Sequence, residues 1–597
     1  MILTKDSEIN YTGFLDDLRE LGFIYIDIEE LKQPLKLLEQ RIYTLQFLCS
    51  QIMAHKSCYM YKILNTQNIV NYLIQVEGCP PNAFKTKNVA GQSLDSNRVL
   101  TPLFNRGYAK EFLSLYMELT STKSIKGLVK GLIDKSKDSD KVSEDGRPLR
   151  KITFNLREAP NMRAYYYDHG IQNIPKTALK SLKAPKGYTL VSGDFAQSDV
   201  RVAYSLLLKS EDNIGIMQSS SDIYQVFARM FMGNDFDPEH FKEFRNSEYK
   251  PNTLGPLYGA TRGNSEFSSR FINKANEYLK TQSHYMEFSN RLDKHIRLGF
   301  PIIINTYFGN EEVVEIPTYI KHTPTDLKNK ALNCPIQTGT AEVVIATQQK
   351  IMSEFAKLGV TPQNEGIFSY MTRHDELVFL IKDEYLKYSN IFAQCENIFI
   401  ENWIPLKIEF EYSKTYGIPD PNIKKVAELY YDRNAVNREF EECRNLNTDD
   451  FFIPIDDILE VTIGVSKDNY GNSFVAFYDE YNQKVSIELV ATQNMDEVIL
   501  FIINKISSNK SKLFNQSVRN VMVNTILPFS KESVFNGILI KFTDKFSSSL
   551  ASKAQMLSEY GMKCYYEQKG IDIDLEDSVM NNKAFIESVL QNEELFD

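Results

Sequence analysis

An α+β fold in several parts is predicted for this chain, on three observations. Its 597 residues are too many for a single hydrophobic core. Strand-like and helix-like stretches alternate from about residue 151 to 417. After the Gly417-Ile-Pro-Asp-Pro421 break, the pattern changes to a strand meander.

In chain order, residues 1–85 read as helical, with periodic apolar positions over 31–52, and the Gly78-Cys-Pro-Pro81 break ends that block. Residues 86–150 read as helical again, turning polar and irregular from 135 to 147. In the body, 188–192 is a strand leading into Asp194 and 220–232 has helical spacing. Two strands, 301–307 and 311–316, flank Phe308-Gly-Asn310. A long helix is expected over 341–358 and a further strand over 377–381. Beyond the break, strands at 459–465, 473–478 and 485–491 precede a helix at 495–506 and a strand at 518–523.

The apolar (43%) and charged (24%) fractions are those of a globular protein. No run of about 18 uncharged apolar residues is present, so no membrane span is expected. The N-terminus lacks the basic-then-apolar order of a signal peptide. The seven cysteines are scattered, without Cys-x-x-Cys or zinc-ligand spacing, which fits free thiols and a reducing, cytoplasmic setting. The net charge of −10 looks wrong for a chain that grips nucleic acid. It arises wholly in residues 421–597, which hold 28 acidic and 18 basic residues, so 1–420 is neutral overall. Within the neutral part, 121–151 carries nine Lys/Arg against five Asp/Glu.

Two segments set a carboxylate beside an apolar strand: Ser192-Gly-Asp194-Phe195-Ala-Gln197-Ser-Asp199-Val-Arg201 and Arg373-His374-Asp375-Glu376. Two such carboxylates, with the backbone carbonyl of Phe195, can hold two magnesium ions, Mn²⁺ being the alternative. Between them lies Arg245-Asn-Ser-Glu-Tyr-Lys250-Pro-Asn-Thr-Leu254-Gly255-Pro-Leu-Tyr258-Gly259. On a helix, Lys250 and Tyr258, eight residues apart, fall on the same broad side. The amine suits a triphosphate and the proton needed by leaving pyrophosphate, and the ring suits a base pocket. This is the equipment of templated nucleotidyl transfer.

The same segments resemble family A DNA polymerases, the group of bacterial DNA polymerase I and many phage replicative enzymes. Asp194 to Arg201 is similar to the family's Asp-Tyr-Ser-Gln-x-Glu-x-Arg. Lys250, Leu254, Gly255, Tyr258 and Gly259 fall on its fingers motif, and His374-Asp375-Glu376 on its last motif. Arg163 with Gln172-Asn173-Ile-Pro175, Asn333-Cys-Pro-Ile-Gln337-Thr-Gly-Thr-Ala341, Tyr116 to Lys123 and Pro405-Leu-Lys-Ile-Glu409 resemble further family segments in the same order. The likeness covers about residues 100–417.

It implies a right-hand architecture: thumb 86–150, palm 151–240 and 301–419, and fingers 241–300, after a helical region 1–85 and before an acidic accessory domain 420–597. By carry-over, Asp194, Asp375 and Lys250 are catalytic. Gln197, Asp199, Lys250, Leu254, Tyr258, Arg245 and His374 serve the nucleotide. Arg163, Gln172, Asn173, Lys123, Asn333, Gln337 and Gly259 serve primer–template DNA. The activity implied is 5′ to 3′ primer extension with dNTPs. Two alternatives stay open: an enzyme that also accepts rNTPs, and a non-catalytic primer–template scaffold.

The chain departs from the family pattern in places. Asp199 replaces a Glu, one methylene longer, at the sugar gate. The family's fingers Arg falls on Asn246, with Arg245 one step off. Pro251 and Pro256 should kink their helix. Asn310-Glu-Glu312 replaces a usually basic stretch, and one extra residue lies between Pro335 and Ala341. Only about 85 residues precede the thumb, too few for a proofreading exonuclease, and Asp27-Ile-Glu29 reads as the start of a surface helix. No proofreading is expected. The tail's element order resembles an RNase H-like domain, but Asp468 and Glu497 lack carboxylate partners, so no nuclease is expected there. An accessory domain that binds a replication protein or the polymerase's own back is the expected role, with 572–577 and 593–597 read either as a docking peptide or as solvated ends. A phage or mobile-element origin would suit this organisation.

Overall fold

The computed structural model describes residues 3, 7–84, 93–167, 171–208, 211–218, 222–263, 265–306, 308–314, 323–400, 404–431, 455–468, 471–478, 484–492, 494–508, 520–524, 533–535, 538–543 and 548–570. It divides into two compact units. One comprises Met1–Gln282, Thr306–Glu312 and Leu332–Phe452; the other comprises Ser283–Asn305, Val313–Ala331 and Ile453–Asp597. Among the described residues no helix is long and apolar enough to cross a membrane.

In the first unit, strand β1 (Phe23–Ile26) leads into helix α1 (Glu29–Lys56), which packs against α2 (Lys110–Lys135). Leu45, Cys49 and Met53, spaced by four along α1, lie on one face and share a core with Phe112, Leu113 and Leu119 of α2. Residues on both sides of position 85 therefore contribute to one core. The stretch expected to be irregular forms strand β2 (Lys137–Val142), and β3 (Pro148–Thr153) follows directly after it, in a sheet of order β1-β3-β2. Its polar residues concealed the strand, because β2 is an edge with one face in water. As expected, the Asp27-Ile-Glu29 segment begins a helix, α1, with Glu29 exposed in its first turn and its N–H donating to Asp27 Oδ1 at 2.9 Å, but Asp27 itself is buried. It is 1% exposed and accepts from Lys183 Nζ at 2.9 Å and Arg147 Nη1 at 3.2 Å, a buried charge compensated by two cations.

The site rests on strand β4 (Tyr188–Ala196), followed by α3 (Ser198–Leu207), α4 (Ile223–Met232), α5 (Lys250–Leu257), α6 (Glu266–Lys280) and α7 (Pro324–Lys357). Then come β5 (Ile367–Arg373), β6 (Glu376–Lys382), β7 (Asn397–Ile400) and β8 (Ile404–Ser413). They form an antiparallel sheet of order β7-β8-β4-β6-β5, with β4 in the centre. Helix α7 begins 17 residues before the expected 341. Pro335 normally ends such a pattern, but buried Leu332, Cys334 and Ile336 hold the helix through it.

Gly193 shows how tightly the sheet is packed. A Cβ there would stand 2.6 Å from the Phe410 ring and 2.9 Å from Ile408 Cδ1. Gly193→Ala is expected to destabilise the first unit by about 1–3 kcal/mol, through overpacking, in denaturant unfolding.

Glu342, fully buried on α7, accepts from Thr306 Oγ1 at 2.5 Å and Asn310 Nδ2 at 2.7 Å. Burial pushes its pKa up to about 7, against those two hydrogen bonds. The folded state then holds a proton that the unfolded state releases near 4.5. Stability should therefore be greatest on the acid side and fall as pH rises from about 4.5 to 7, by up to about 3 kcal/mol from this group. Urea titrations across that window should show the wild-type slope reduced in Glu342→Gln.

In the second unit, strands β9 (Ile458–Lys467), β10 (Ser473–Tyr478) and β11 (Lys484–Val490) form the expected meander. Helix α8 (Met495–Ser508), strands β12 (Asn520–Asn524), β13 (Ser533–Phe535) and β14 (Ile538–Thr543), and helix α9 (Ser548–Lys569) follow. The sheet order is β11-β10-β9-β12-β14-β13, with β12 parallel to both β9 and β14. Leu459, Val461, Ile463 and Val465 alternate onto the face covered by Val498, Ile502 and Ile506 of α8. On the other face α9 lies so close that a Cβ at Gly464 would stand 2.3 Å from the Ala554 carbonyl oxygen.

The helix Ser283–Leu298 belongs to this unit. The His295 ring nitrogens lie 3.2 Å from the Pro301 carbonyl and 3.1 Å from that of Asp456, while Arg291 and Lys294 donate to the carbonyls of Ile455 and Ile458. Asp468 is a turn residue accepting from Asn472 N and the Tyr566 hydroxyl, and Glu497 is exposed in the first turn of α8. The segments 572–577 and 593–597 lie outside the described residues.

Candidate active site

Strand β4 is buried from Tyr188 to Gly193 and opens at Asp194. Pairing on both sides places Asp194 opposite Glu376 of β6 and Glu409 of β8. Asp375 sits in the two-residue loop joining β5 to β6, where Arg373 pairs with Glu376. Its neighbour His374 has φ +58°, the left-handed conformation that such a tight hairpin demands and that a non-glycine residue adopts only at a cost. The turn delivers Asp375 to the cavity that Asp194 faces, where Ser198 Oγ donates to Asp375 Oδ2 at 2.9 Å. That cavity, of about 690 Å³, also takes in Asp199, Lys250, Arg163 and Arg373.

Burial and mutual charge act on these acids together. Desolvation by the surrounding protein, then the charge of Asp375, push the Asp194 pKa up, and Lys250 opposes them. Asp194 nonetheless remains open to the cavity. Burial, then Asp375, also raise Asp199, against Arg163, Thr340 and Tyr258. The Arg163 guanidinium stands between two carboxylates, 3.6 Å from Asp199 and 3.8 Å from Asp375. Burial pushes Glu376 up to about 7 despite a hydrogen bond from the Tyr416 hydroxyl. With Glu409 and Glu411, six carboxyl side chains line the cavity against Arg163, Lys250 and Arg373, an acid excess that favours a bound cation. Among the described residues, no three His, Cys, Asp or Glu side chains form a metal-holding group on their own.

Helix α5 carries Lys250 at its start, with the amine side chain exposed to the cavity. Pro251 takes a first-turn position that needs no N–H, and Pro256 falls in the last turn, so the prolines bound a helix of eight residues. Just before it, Arg245–Tyr249 forms a π-helical turn. Such a turn accommodates one residue more than an α-turn. Five residues therefore span it, returning Arg245 to nearly the azimuth of Lys250, and the one-step offset seen in the sequence is absorbed. Arg245 Nε donates to Asp222 Oδ2 at 2.5 Å, and its guanidinium lies over the Tyr224 ring. Leu254 is half-buried. Tyr258, capping the helix, donates to Asp199 Oδ2 at 3.0 Å, and Gly259 turns the chain at φ +86°.

Of the remaining sequence-nominated residues, Gln197 (φ +61°) bonds to Asp222 and to the backbone of Ile223. The Phe195 side chain is buried, opposite Ile408. Gln172 donates to the Ala164 carbonyl, and Asn173 is exposed in the same short turn. Lys123 is exposed on α2. Asn333 and Gln337 are half-buried on α7, and Asn333 Oδ1 has no hydrogen-bond partner among the described residues. None of Gln172, Asn173, Lys123, Asn333 and Gln337 lines the cavity.

Several site residues were not nominated from sequence. Arg373 lines the cavity and donates to the carbonyls of Gln172 and Ile174, pinning that turn beside it. Glu409 and Glu411 were legible as a period-two pair on β8. Thr340, which donates to Asp199 Oδ1 at 2.9 Å, carries no comparable signal.

No family model and no curated protein matches the chain. Among solved structures it is similar to the POL domain of Pol1 from M. smegmatis, in complex with DNA primer-template and dNTP. The likeness covers 68% of this chain and 69% of that one, at 17% identity and a TM-score of 0.51. At that identity the likeness is one of fold, and the fold of this chain is the α+β fold of a polymerase domain.

Proposed function

We propose that this chain is a DNA-directed DNA polymerase of the family A type, extending a primer 5′ to 3′ without proofreading of its own. The observation that carries the proposal is the meeting of Asp194 and Asp375 in one acid-rich cavity, which Lys250 also lines. In this reading the thumb is 86–150, the palm 151–240 and 301–419, the fingers 241–300, and 420–597 an accessory domain.

The residues fit a pair of magnesium ions. Asp194 and Asp375 offer hard oxygen donors, the Phe195 carbonyl a further one, and each carboxylate gains from a cation that relieves its neighbour's charge. Two carboxylates without a third His, Cys, Asp or Glu ligand among the described residues suit an ion that completes its shell with triphosphate oxygens and water. When bound, such ions sharpen the primer 3′-hydroxyl and stabilise charge on the departing pyrophosphate. Lys250 pairs with the triphosphate and gives a proton to the leaving pyrophosphate. Leu254 and Tyr258 line the base pocket, and Asp199 lies beneath the sugar. His374 serves the nucleotide, and Arg163, Gln172, Asn173, Asn333 and Gln337 hold the primer end and the minor groove, whose nearly degenerate acceptors report pair geometry.

The test is primer extension on a defined template. Templated addition of dNTPs with Mg²⁺ or Mn²⁺ is expected, together with failure to trim a mismatched 3′ end before extending it. Tight primer–template binding with no addition under either metal would favour the scaffold reading instead. Equal use of dNTPs and rNTPs would favour the relaxed-sugar enzyme.

A further inference from the structure

Both oxygens of the Asp199 carboxylate are engaged by the protein. Oδ2 accepts from the Tyr258 hydroxyl at 3.0 Å, and Oδ1 accepts from Thr340 Oγ1 at 2.9 Å. The Thr340 bond requires a close approach of two helices. Its neighbour Gly339 faces α3, and a Cβ there would stand 3.0 Å from Val202 Cγ1. A glycine in a helix interior is costly, and here it lets α7 reach the first turn of α3, where Asp199 sits. A buried helical threonine commonly turns its hydroxyl back to the carbonyl four residues earlier. Thr347 on the same helix does so, donating to the Val343 carbonyl at 2.7 Å. Thr340, 1% exposed, points its hydroxyl out of its helix to the carboxylate.

We infer that Thr340 is a positioning residue for sugar selection: its hydroxyl pins one oxygen of Asp199 so that the other meets Tyr258, closing a wall against the 2′-hydroxyl of a ribonucleoside triphosphate. This rests on the proposed polymerase function, in which Asp199 lies beneath the incoming sugar and Tyr258, its hydrogen-bond partner, lines the adjoining base pocket. The shorter acid leaves the carboxylate nearer its own backbone than a glutamate would, and the reach to Tyr258 is nevertheless made. Tethered at both oxygens, Asp199 cannot swing to welcome a 2′-hydroxyl without breaking a bond. Released from Thr340, it can turn about χ1 and χ2, leave Tyr258 and accept from the ribose.

Single-nucleotide incorporation tests this, with a matched dNTP and rNTP on one primer–template. The variants are Thr340→Val, which keeps the shape and removes the donor, Thr340→Ser, which keeps the donor, and Gly339→Ala, which pushes α7 from α3. Thr340→Val should lower the dNTP:rNTP ratio of kcat/KM by about tenfold, mainly through a lower KM for the rNTP. Thr340→Ser should retain the wild-type ratio, and Gly339→Ala should shift it in the Val direction. An unchanged ratio in Thr340→Val, equal behaviour of the Val and Ser variants, or a parallel loss with both sugars would overturn the inference while leaving the polymerase reading intact. A wild-type protein that adds no dNTP would overturn both.

Discussion

Asp375→Asn is expected to reduce templated nucleotide addition by about 10³-fold or more while leaving primer–template affinity within a few-fold of wild type. Replacing a carboxylate oxygen by an amide removes a negative charge from a site proposed to hold cations. Stabilisation of transition-state charge by such ions is worth several kcal/mol, and each 1.36 kcal/mol is about tenfold in rate. Asparagine has nearly the same shape and can still accept from Ser198, so the hairpin should survive. Rapid-quench incorporation and a fluorescence-anisotropy binding curve on the same preparation separate the two effects. Addition near the wild-type rate would show that the metal assignment is misplaced. A large loss of DNA affinity would show that Asp375 supports structure instead.

Lys250→Met should lower the incorporation rate by about 10²–10⁴-fold, the range for loss of a general acid, and also raise the KM for dNTP. Methionine fills much of the same volume without the charge. Lys250→Arg should restore much of the nucleotide affinity but little of the rate, because guanidinium keeps its proton at any working pH. If Arg restores both, Lys250 acts as a charge alone. If Met changes neither, the amine is a solvated surface group. Asp194 gives an independent readout, since Lys250 opposes the rise of its pKa. The Met variant should titrate that carboxyl at higher pH.

Much of this arrangement was legible in the sequence because each part obeys a local rule. The strand before Asp194, the β5–β6 hairpin and the three-strand meander of the second unit all show period-two or continuous apolar patterns. What escaped depends on partners distant in sequence. Strand β2 is charged at four of its six positions and is a strand because β3 pairs with it and with β1, more than a hundred residues earlier. Asp27 is buried because Lys183 and Arg147 arrive from elsewhere in the chain to neutralise it. The π-turn before Lys250 is invisible to any count made in steps of four, so Arg245 looked out of register. Thr340 gives no chemical signal in a helix, and only the approach of α7 to α3 gives its hydroxyl a partner.

The central claim is that Asp194 and Asp375 share a pair of cations. The most direct measurement is the anomalous scattering of Mn²⁺ in crystals of the protein with primer–template and a non-hydrolysable dNTP. Manganese peaks in contact with both carboxylates and with the triphosphate are expected. Peaks elsewhere, or the two side chains turned into separate cavities around an ordered nucleotide, would contradict it.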